Sequence, residues 1–253
     1  MAYVVANWKM YLRTAEAIDL FARVQQRLRQ EAAAGIELPT VIVCPPAISL
    51  MAMRDMADRS LLALGAQNCH WESRGAYTGE ISAAMLAGLV DYVLVGHSER
   101  RRAGETDEQI ARKVAAVAAN AMTPILFVGE DEPTSAAAER AQERLERGLS
   151  EVDLSRGPVL VVYEPTWAIG ADAPAAADHV RTVVTRLKQW LTDNGAQRPT
   201  IIYGGTVTAD NVAEFAAIDV LDGVGATRGT LDENGFLTIV RQVACAAIER
   251  PTG

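Results

Sequence analysis

The sequence predicts an α/β fold, a closed (β/α)₈ barrel formed by a single domain of residues 1–253. Two observations predict it. Short apolar runs alternate with longer segments of helical periodicity, and eight such strand–helix units recur about every 30 residues. Units of this kind join parallel strands through right-handed crossovers. Proline and glycine stand at strand ends and form no linker, so the sequence predicts one domain.

The eight predicted strands are rich in Val, Ile and Leu, as expected for strands that are covered on both faces. They begin at Tyr3, Thr40, Leu61, Asp91, Thr123, Pro158, Thr200 and Val220. Between them, apolar residues recur with helical spacing, for example over 17–30 and 179–191. An open doubly wound sheet is the alternative. Its dinucleotide-binding form requires G-x-G-x-x-G after the first strand, whereas this strand ends in Asn-Trp-Lys-Met, so the barrel is favoured.

Composition and charge exclude several classes of partner. The chain has 253 residues, is 49% hydrophobic and carries a formal net charge of −8, which argues against a nucleic-acid or membrane-surface partner. Cys44, Cys69 and Cys245 lie far apart and form no C-x-x-C, which argues against a disulfide framework or a zinc site. No apolar run reaches about 18 residues and the first strand begins at Tyr3, so we expect a cytoplasmic protein without a signal peptide.

The carboxyl ends of the predicted strands carry the candidate site, because the active site of a (β/α)₈ barrel is built at that face. The polar or glycine-rich positions there are Asn7, Lys9, Gln67, Asn68, His97, Ser98, Glu99, Glu164, 203–206 and 225–229. A lysine, a histidine and a carboxylate therefore converge on one face. His70 and His179 lie elsewhere, and we expect them to be structural or solvated.

This set of side chains suits proton transfer next to a carbonyl group. A carboxylate such as Glu164 can take a proton from carbon, while Lys9 and His97 stabilise the enediolate oxygens. The glycine-rich ends of strands 7 and 8 offer backbone N–H groups to a phosphate. Taken singly, Lys9 is also explained as a solvated strand end, Glu164 as a loop cap and Gly204–Gly205 as a tight turn. Their joint placement predicts isomerisation of a small sugar phosphate.

Five blocks of sequence resemble the triosephosphate isomerase family, in order and over nearly the whole chain. They are NWKM from Asn7, GAYTGEIS from Gly75, VGHSERR from Val95, YEPTWAIG from Tyr163 and YGGTV from Tyr203. The resemblance implies a TIM barrel and a glycolytic and gluconeogenic enzyme that needs no cofactor and no metal. It also implies that dihydroxyacetone phosphate and glyceraldehyde 3-phosphate are interconverted through an enediolate.

The resemblance assigns roles to individual catalytic residues. It makes Glu164 the base and His97 the electrophile. Lys9 would face the substrate oxygens, with Asn7 bracing it and Glu99 holding it in place. The sequence itself adds one reason for a neutral imidazole: HSERR directly follows a strand and can open a helix, whose N-terminus disfavours an imidazolium.

A lid and a phosphate site are implied by the same resemblance. The lid, which in this family closes over the substrate and excludes water, would include Pro165, Trp167 and Ile169. The phosphate-binding residues would be Gly170, Thr206, Thr227 and Arg228.

Several positions depart from the family's pattern. Thr227 and Arg228 replace a Gly-Gly pair, so we expect Cβ atoms to crowd the phosphate and the Arg228 guanidinium to point towards it. Gly225 stands where the family has a leucine against the base, which predicts a wider pocket and a wetter Glu164. Phe127 replaces a cysteine.

Three alternative functions stay open. One is an isomerase of a four-carbon ketose phosphate such as L-erythrulose 1-phosphate, because bacterial relatives with that substrate share an arginine after strand 8. The second is a Schiff-base aldolase with Lys9 as nucleophile, which the polar neighbours Asn7 and Glu99 disfavour. The third is a phosphosugar-binding barrel without activity, which the retained His97 and Glu164 disfavour.

The loop after strand 3, residues 68–80, predicts a homodimer. It is long for a compact barrel and carries Trp71 and Tyr77, which a monomer would expose. In the family the matching loop enters a pocket of the other chain, which would place Thr78 beside Lys9 and Met10 of the partner subunit. A self-packed Ω-loop is the alternative.

Overall fold

A computed structural model describes residues 2–169, 171 and 174–248. Its eight parallel strands form a closed barrel in which each strand pairs with its neighbours in chain order. The strands are β1 Tyr3–Asn7, β2 Thr40–Cys44, β3 Ala63–Ala66, β4 Tyr92–Val95, β5 Thr123–Val128, β6 Leu160–Tyr163, β7 Thr200–Tyr203 and β8 Gly223–Ala226. Each lies within its predicted apolar run, so the predicted (β/α)₈ barrel is confirmed.

Helices cover the outside of the barrel. Within the described ranges they are α1 Thr14–Ala33, α2 Leu50–Met56, α3 Ala83–Leu86, α4 Ser98–Arg102, α5 Asp107–Ala119, α6 Ala137–Gly148, α7 Ala177–Asp193, α8 Val212–Ala216 and α9 Glu233–Ile248. The two helical segments predicted from periodicity lie within α1 and α7. None of the described helices combines the length and apolar character that crossing a bilayer requires.

Two hydrophobic cores follow from the alternation of side chains along each strand. The larger core lies between the strands and the helices. The smaller core fills the barrel with Val5, Ile42, Cys44, Leu94, Ile125, Phe127, Leu160, Val162 and Ile202. Inward-facing residues near the carboxyl ends of the strands therefore form the floor of any cleft at the mouth.

The barrel closes between β1 and β8, where Val5 is in register with Gly225. Beyond this junction the ring of Trp8 is fully buried, and its Nε1–H donates a hydrogen bond to the carbonyl oxygen of Thr230 at 3.0 Å. This bond ties the end of β1 to the turn that follows β8. The segments that leave these two neighbouring strands are therefore joined at the mouth of the barrel.

Candidate active site

A cleft of about 330 Å³ opens at the carboxyl ends of the strands. Most of the predicted site residues line it: Asn7, Lys9, His97, Glu99, Glu164, Ile169, Thr206, Thr227 and Arg228. Five predicted residues are not part of this lining: Trp71, Tyr77, Thr78, Pro165 and Trp167. Gly170 lies outside the described residues. Residues that were selected because they follow predicted strands, although distant in the sequence, therefore line one cleft.

Lys9 stands in an unusual backbone conformation with φ of 45°. A non-glycine residue in this region costs about 1–3 kcal/mol, which the surroundings must offset. Here Asn7 Oδ1 accepts the N–H of Lys9 at 3.0 Å, and Gln67 Nε2 donates to the Lys9 carbonyl at 2.9 Å. Lys9 Nζ donates to Glu99 Oε1 at 2.8 Å. Backbone and ammonium are thus both held, and Gln67 gains a positioning function that sequence reasoning did not assign.

His97 is the residue that precedes helix α4, as the sequence predicted. Its Nδ1 accepts the backbone N–H of Glu99 at 3.1 Å, so this nitrogen carries no proton and the neutral ring is protonated on Nε2. Burial, with a smaller contribution from the Lys9 ammonium, lowers the pKa of His97 from 6.5 to about 4. His97 Nε2 lies 3.2 Å from Glu164 Oε1. The ring can therefore donate a hydrogen bond as a neutral imidazole.

Glu164 directly follows β6 and is only 4% exposed. Burial raises the pKa of its carboxyl to about 7, although the backbone N–H of Ser98, which donates to Oε2 at 3.0 Å, acts in the opposite direction. The expectation that Gly225 leaves this carboxylate wet is wrong, because His97 and Ser98 cover it from the β4 side. A carboxylate with this pKa is a suitable base near neutral pH.

The opposite side of the cleft consists of backbone, hydroxyl groups and one arginine. Thr206 Oγ1 donates to the carbonyl oxygen of Ala168 at 2.9 Å, which joins β7 to the short 3₁₀ turn after Pro165. Thr227 has φ of −117°, which is outside the left-handed region that favours glycine, so the backbone at this position does not require a glycine through a positive φ. Arg228 is exposed, and among the described residues no side chain pairs with its guanidinium. Its charge is available to an anion in the cleft.

Glu130 is a residue that sequence reasoning missed. It is fully buried after β5, and its carboxylate accepts hydrogen bonds from the Tyr163 hydroxyl at 2.9 Å and from Trp167 Nε1 at 2.8 Å. His179 Nε2 lies 2.9 Å from the same oxygen. Glu130 therefore holds Trp167, at the start of the predicted lid, against the barrel. The signal was present: like Glu164, Glu130 is a carboxylate just past a buried strand.

The 68–80 loop packs partly on its own chain. The Trp71 ring stacks on His70 with centroids 4.1 Å apart, and the Arg112 guanidinium lies 4.8 Å from the Trp71 ring centroid. Trp71 is half-buried in consequence, so the expectation that one chain exposes it is wrong. Tyr77 also contacts His70 but is 45% exposed. Its neighbour Thr78 is exposed as well.

Comparison with known proteins agrees with this geometry. The sequence model of the family described as triosephosphate isomerase matches residues 2–243. The triosephosphate isomerase of Synechococcus sp. (strain JA-2-3B'a(2-13)) is 39% identical over 253 residues, which cover 96% of this chain and 97% of that protein. Those of Synechocystis sp. (strain ATCC 27184 / PCC 6803 / Kazusa) and Dehalococcoides mccartyi (strain ATCC BAA-2100 / JCM 16839 / KCTC 5957 / BAV1) are 39% and 36% identical, covering 94% and 95% of this chain and 96% of each relative. This chain belongs to the triosephosphate isomerase family.

Proposed function

We propose that this protein is an isomerase that interconverts dihydroxyacetone phosphate and glyceraldehyde 3-phosphate. One observation carries the proposal: a buried carboxylate with a pKa of about 7 lies 3.2 Å from a neutral imidazole, beside an anchored ammonium. A base of this pKa removes a proton from carbon efficiently near neutral pH. The relatives named above support the choice of substrate.

The reaction moves one proton between adjacent carbons. Glu164 exchanges its Ser98 contact for the substrate and takes a proton from the carbon next to the carbonyl. The electron pair forms the enediolate, whose oxygens accept hydrogen bonds from His97 Nε2–H and the Lys9 ammonium. Glu164 then returns the proton to the neighbouring carbon, while the hydroxyl proton passes between the two oxygens. No proton or electron is gained or lost overall.

The substrate phosphate is proposed to bind on the β7 and β8 side of the cleft. Thr206, Thr227 and Arg228 line that side together with the backbone of Gly204 and Gly205. Backbone N–H groups and a guanidinium are both effective phosphate donors. Binding there would leave the two carbons at the other end of the substrate beside Glu164.

A four-carbon ketose phosphate is the second candidate substrate, favoured by the space at Gly225. A Cβ atom built on Gly225 would meet no atom nearer than 3.7 Å, so this wall of the cleft has room for an additional group. The two substrates can be separated by assaying glyceraldehyde 3-phosphate and L-erythrulose 1-phosphate side by side. A higher kcat/KM for the triose supports the first proposal, whereas a higher value for the tetrulose replaces it with the second.

The variant Gly225→Leu tests whether the space at Gly225 holds the fourth carbon of a tetrulose phosphate. A leucine should fill the free space and reduce tetrulose turnover more than triose turnover. Equal losses for both substrates would show that the space at Gly225 does not hold the fourth carbon. Borohydride added with substrate tests the aldolase alternative, since a covalent adduct on Lys9 would contradict an isomerase that uses this ammonium only as a hydrogen-bond donor.

We also propose that the whole chain acts as a homodimer in the cytoplasm. Large apolar side chains are exposed in the turn after β1 and on two short helices, among them Met10 at 95%, Ile48 at 78% and Met85 at 63%. Exposed groups of this size favour burial against a second copy, into which the tip at Tyr77 and Thr78 would insert. Light scattering tests the assembly. A fully active species near the chain mass of 27.2 kDa would contradict it.

A further inference from the structure

Phe127 is the largest buried apolar side chain among the described residues that line the cleft, and it is 6% exposed. Its ring meets the His97 imidazole edge-on, with centroids 4.9 Å apart and planes inclined at 66°. We propose that Phe127 is a positioning residue that holds the His97 ring in place and keeps water from the Glu164 carboxylate. The inference rests on the proposed isomerase function.

Strand order explains why this one ring can act on both groups. In the barrel β5 lies between β4 and β6, and His97 and Glu164 follow those two strands. Phe127 points into the barrel in register with Val162, which lies two residues before Glu164 on the same face of β6. A large side chain at position 127 therefore lies beside both reacting groups, which contact each other at 3.2 Å.

The dry environment of this pair requires an apolar wall. Across the cleft, Gly225 contributes no side chain, so Phe127 supplies apolar surface that a smaller residue would leave to water. Phe127, Ser98 and Glu164 also line a small void of about 10 Å³ behind the cleft, too small to admit more than one water. Both pKa shifts in the site, downward for His97 and upward for Glu164, have burial as their largest cause.

Charged groups on other elements also face this pair. They are Lys9, which follows β1, and Glu99 and Arg102 of α4. None of them changes when residue 127 is replaced. A change in titration among variants at this position therefore reports the contribution of the ring and not that of the surrounding charges.

The experiment compares Phe127→Ala and Phe127→Leu with Ile125→Ala. Ile125 is buried inside the barrel on the same strand, two residues earlier, so its truncation is a matched control for a core cavity. Two quantities are measured: the pH dependence of kcat/KM and the pKa of His97 from its ring nitrogen resonances. The substrate phosphate titrates near pH 6 in every sample, so it cancels from the comparison.

We expect Phe127→Ala to lower kcat about tenfold and to move the acid limb of kcat/KM down by about one pH unit, towards the pKa of a solvated glutamate. The pKa of His97 should rise by a similar amount. In Phe127→Leu the acid limb of kcat/KM and the pKa of His97 should both stay close to those of the wild type. Ile125→Ala should reduce stability without shifting the acid limb or the pKa of His97.

Unchanged titration in Phe127→Leu and Phe127→Ala, or an equal shift in Ile125→Ala, would overturn the inference. If Phe127→Ala does not fold, Phe127→Val takes its place, because valine also lacks the ring and is smaller than leucine. An unchanged pKa of His97 in Phe127→Val would then overturn the inference. The resonances need no turnover. Failure of the wild-type protein to isomerise any sugar phosphate would therefore refute the proposed function separately, while the role of Phe127 in the titration of His97 would still be measured.

Discussion

The two sides of the cleft are built in different ways. On the β1, β4 and β6 side, each reactive group has a partner in its own chain: Lys9 has Glu99, and Glu164 has Ser98. On the β7 and β8 side the cleft offers backbone, hydroxyl groups and the exposed Arg228. Proton transfer requires groups held at fixed distances in a dry site, whereas a phosphate can be bound by any well-placed donors. The second side can therefore accept Thr227 and Arg228 in place of glycines.

The largest effect should come from replacing the base on the first side. Glu164→Gln keeps the shape of the side chain but cannot accept a proton, so kcat should fall at least about a hundredfold. Affinity for inorganic phosphate should persist, because phosphate binds on the other side. Glu214→Gln on the exposed surface of α8 is the matched control. Activity retained within tenfold would show that another group acts as the base.

The same substitution should stabilise the protein at alkaline pH. The pKa of the Glu164 carboxyl is about 7 in the folded chain and 4.5 in the unfolded chain. Between pH 4.5 and pH 7 the folded state therefore binds more protons than the unfolded state, and the free energy of unfolding falls as the pH rises through this range. Above pH 7 the ionised Glu164 lowers the free energy of unfolding by about 3 kcal/mol, and a glutamine, which does not ionise, avoids this loss.

Denaturant titrations measure this difference directly. Glu164→Gln should exceed the wild type in free energy of unfolding near pH 8, and the excess should shrink towards pH 4.5. An excess that is independent of pH would contradict a raised pKa for Glu164.

On the second side, Arg228→Ala should raise the inhibition constant of phosphate-bearing ligands about tenfold, the range for one charge-assisted hydrogen bond. The loss should diminish at high salt, since a guanidinium at the surface is screened. Arg198→Ala removes the same charge at the start of β7, at the other end of the barrel, and should leave inhibition unchanged. Equal constants for wild type and Arg228→Ala would mean that backbone N–H groups suffice.

The smallest expected effect concerns Glu99. Its ion pair with Lys9 is partly exposed, and exposed pairs contribute about 0–1 kcal/mol. Glu99→Gln can still accept the hydrogen bond from Lys9, so kcat/KM should fall by no more than about fivefold. A hundredfold loss in kcat/KM would show that Glu99 takes part in the proton transfer itself and does not only hold Lys9 in position.

Sequence alone determined the strands and most of the cleft. Apolar runs located all eight strands because a strand covered on both faces must be apolar, and the strand-end rule then selected Lys9, His97 and Glu164. His97 was also correctly predicted to stand at a helix start. These features depend on periodicity and chain order, which are local properties of the sequence.

Only the tertiary structure decided which side chains cover one another. It buried Glu164 despite Gly225, stacked Trp71 on its own loop, and brought Phe127 to His97 and Glu130 to Trp167. Burial and edge-on packing depend on which strands become neighbours and on how far each side chain reaches across the barrel. Contacts of this kind form between residues far apart in the chain, such as Trp8 and Thr230. No local pattern in the sequence specifies which residues will be in contact.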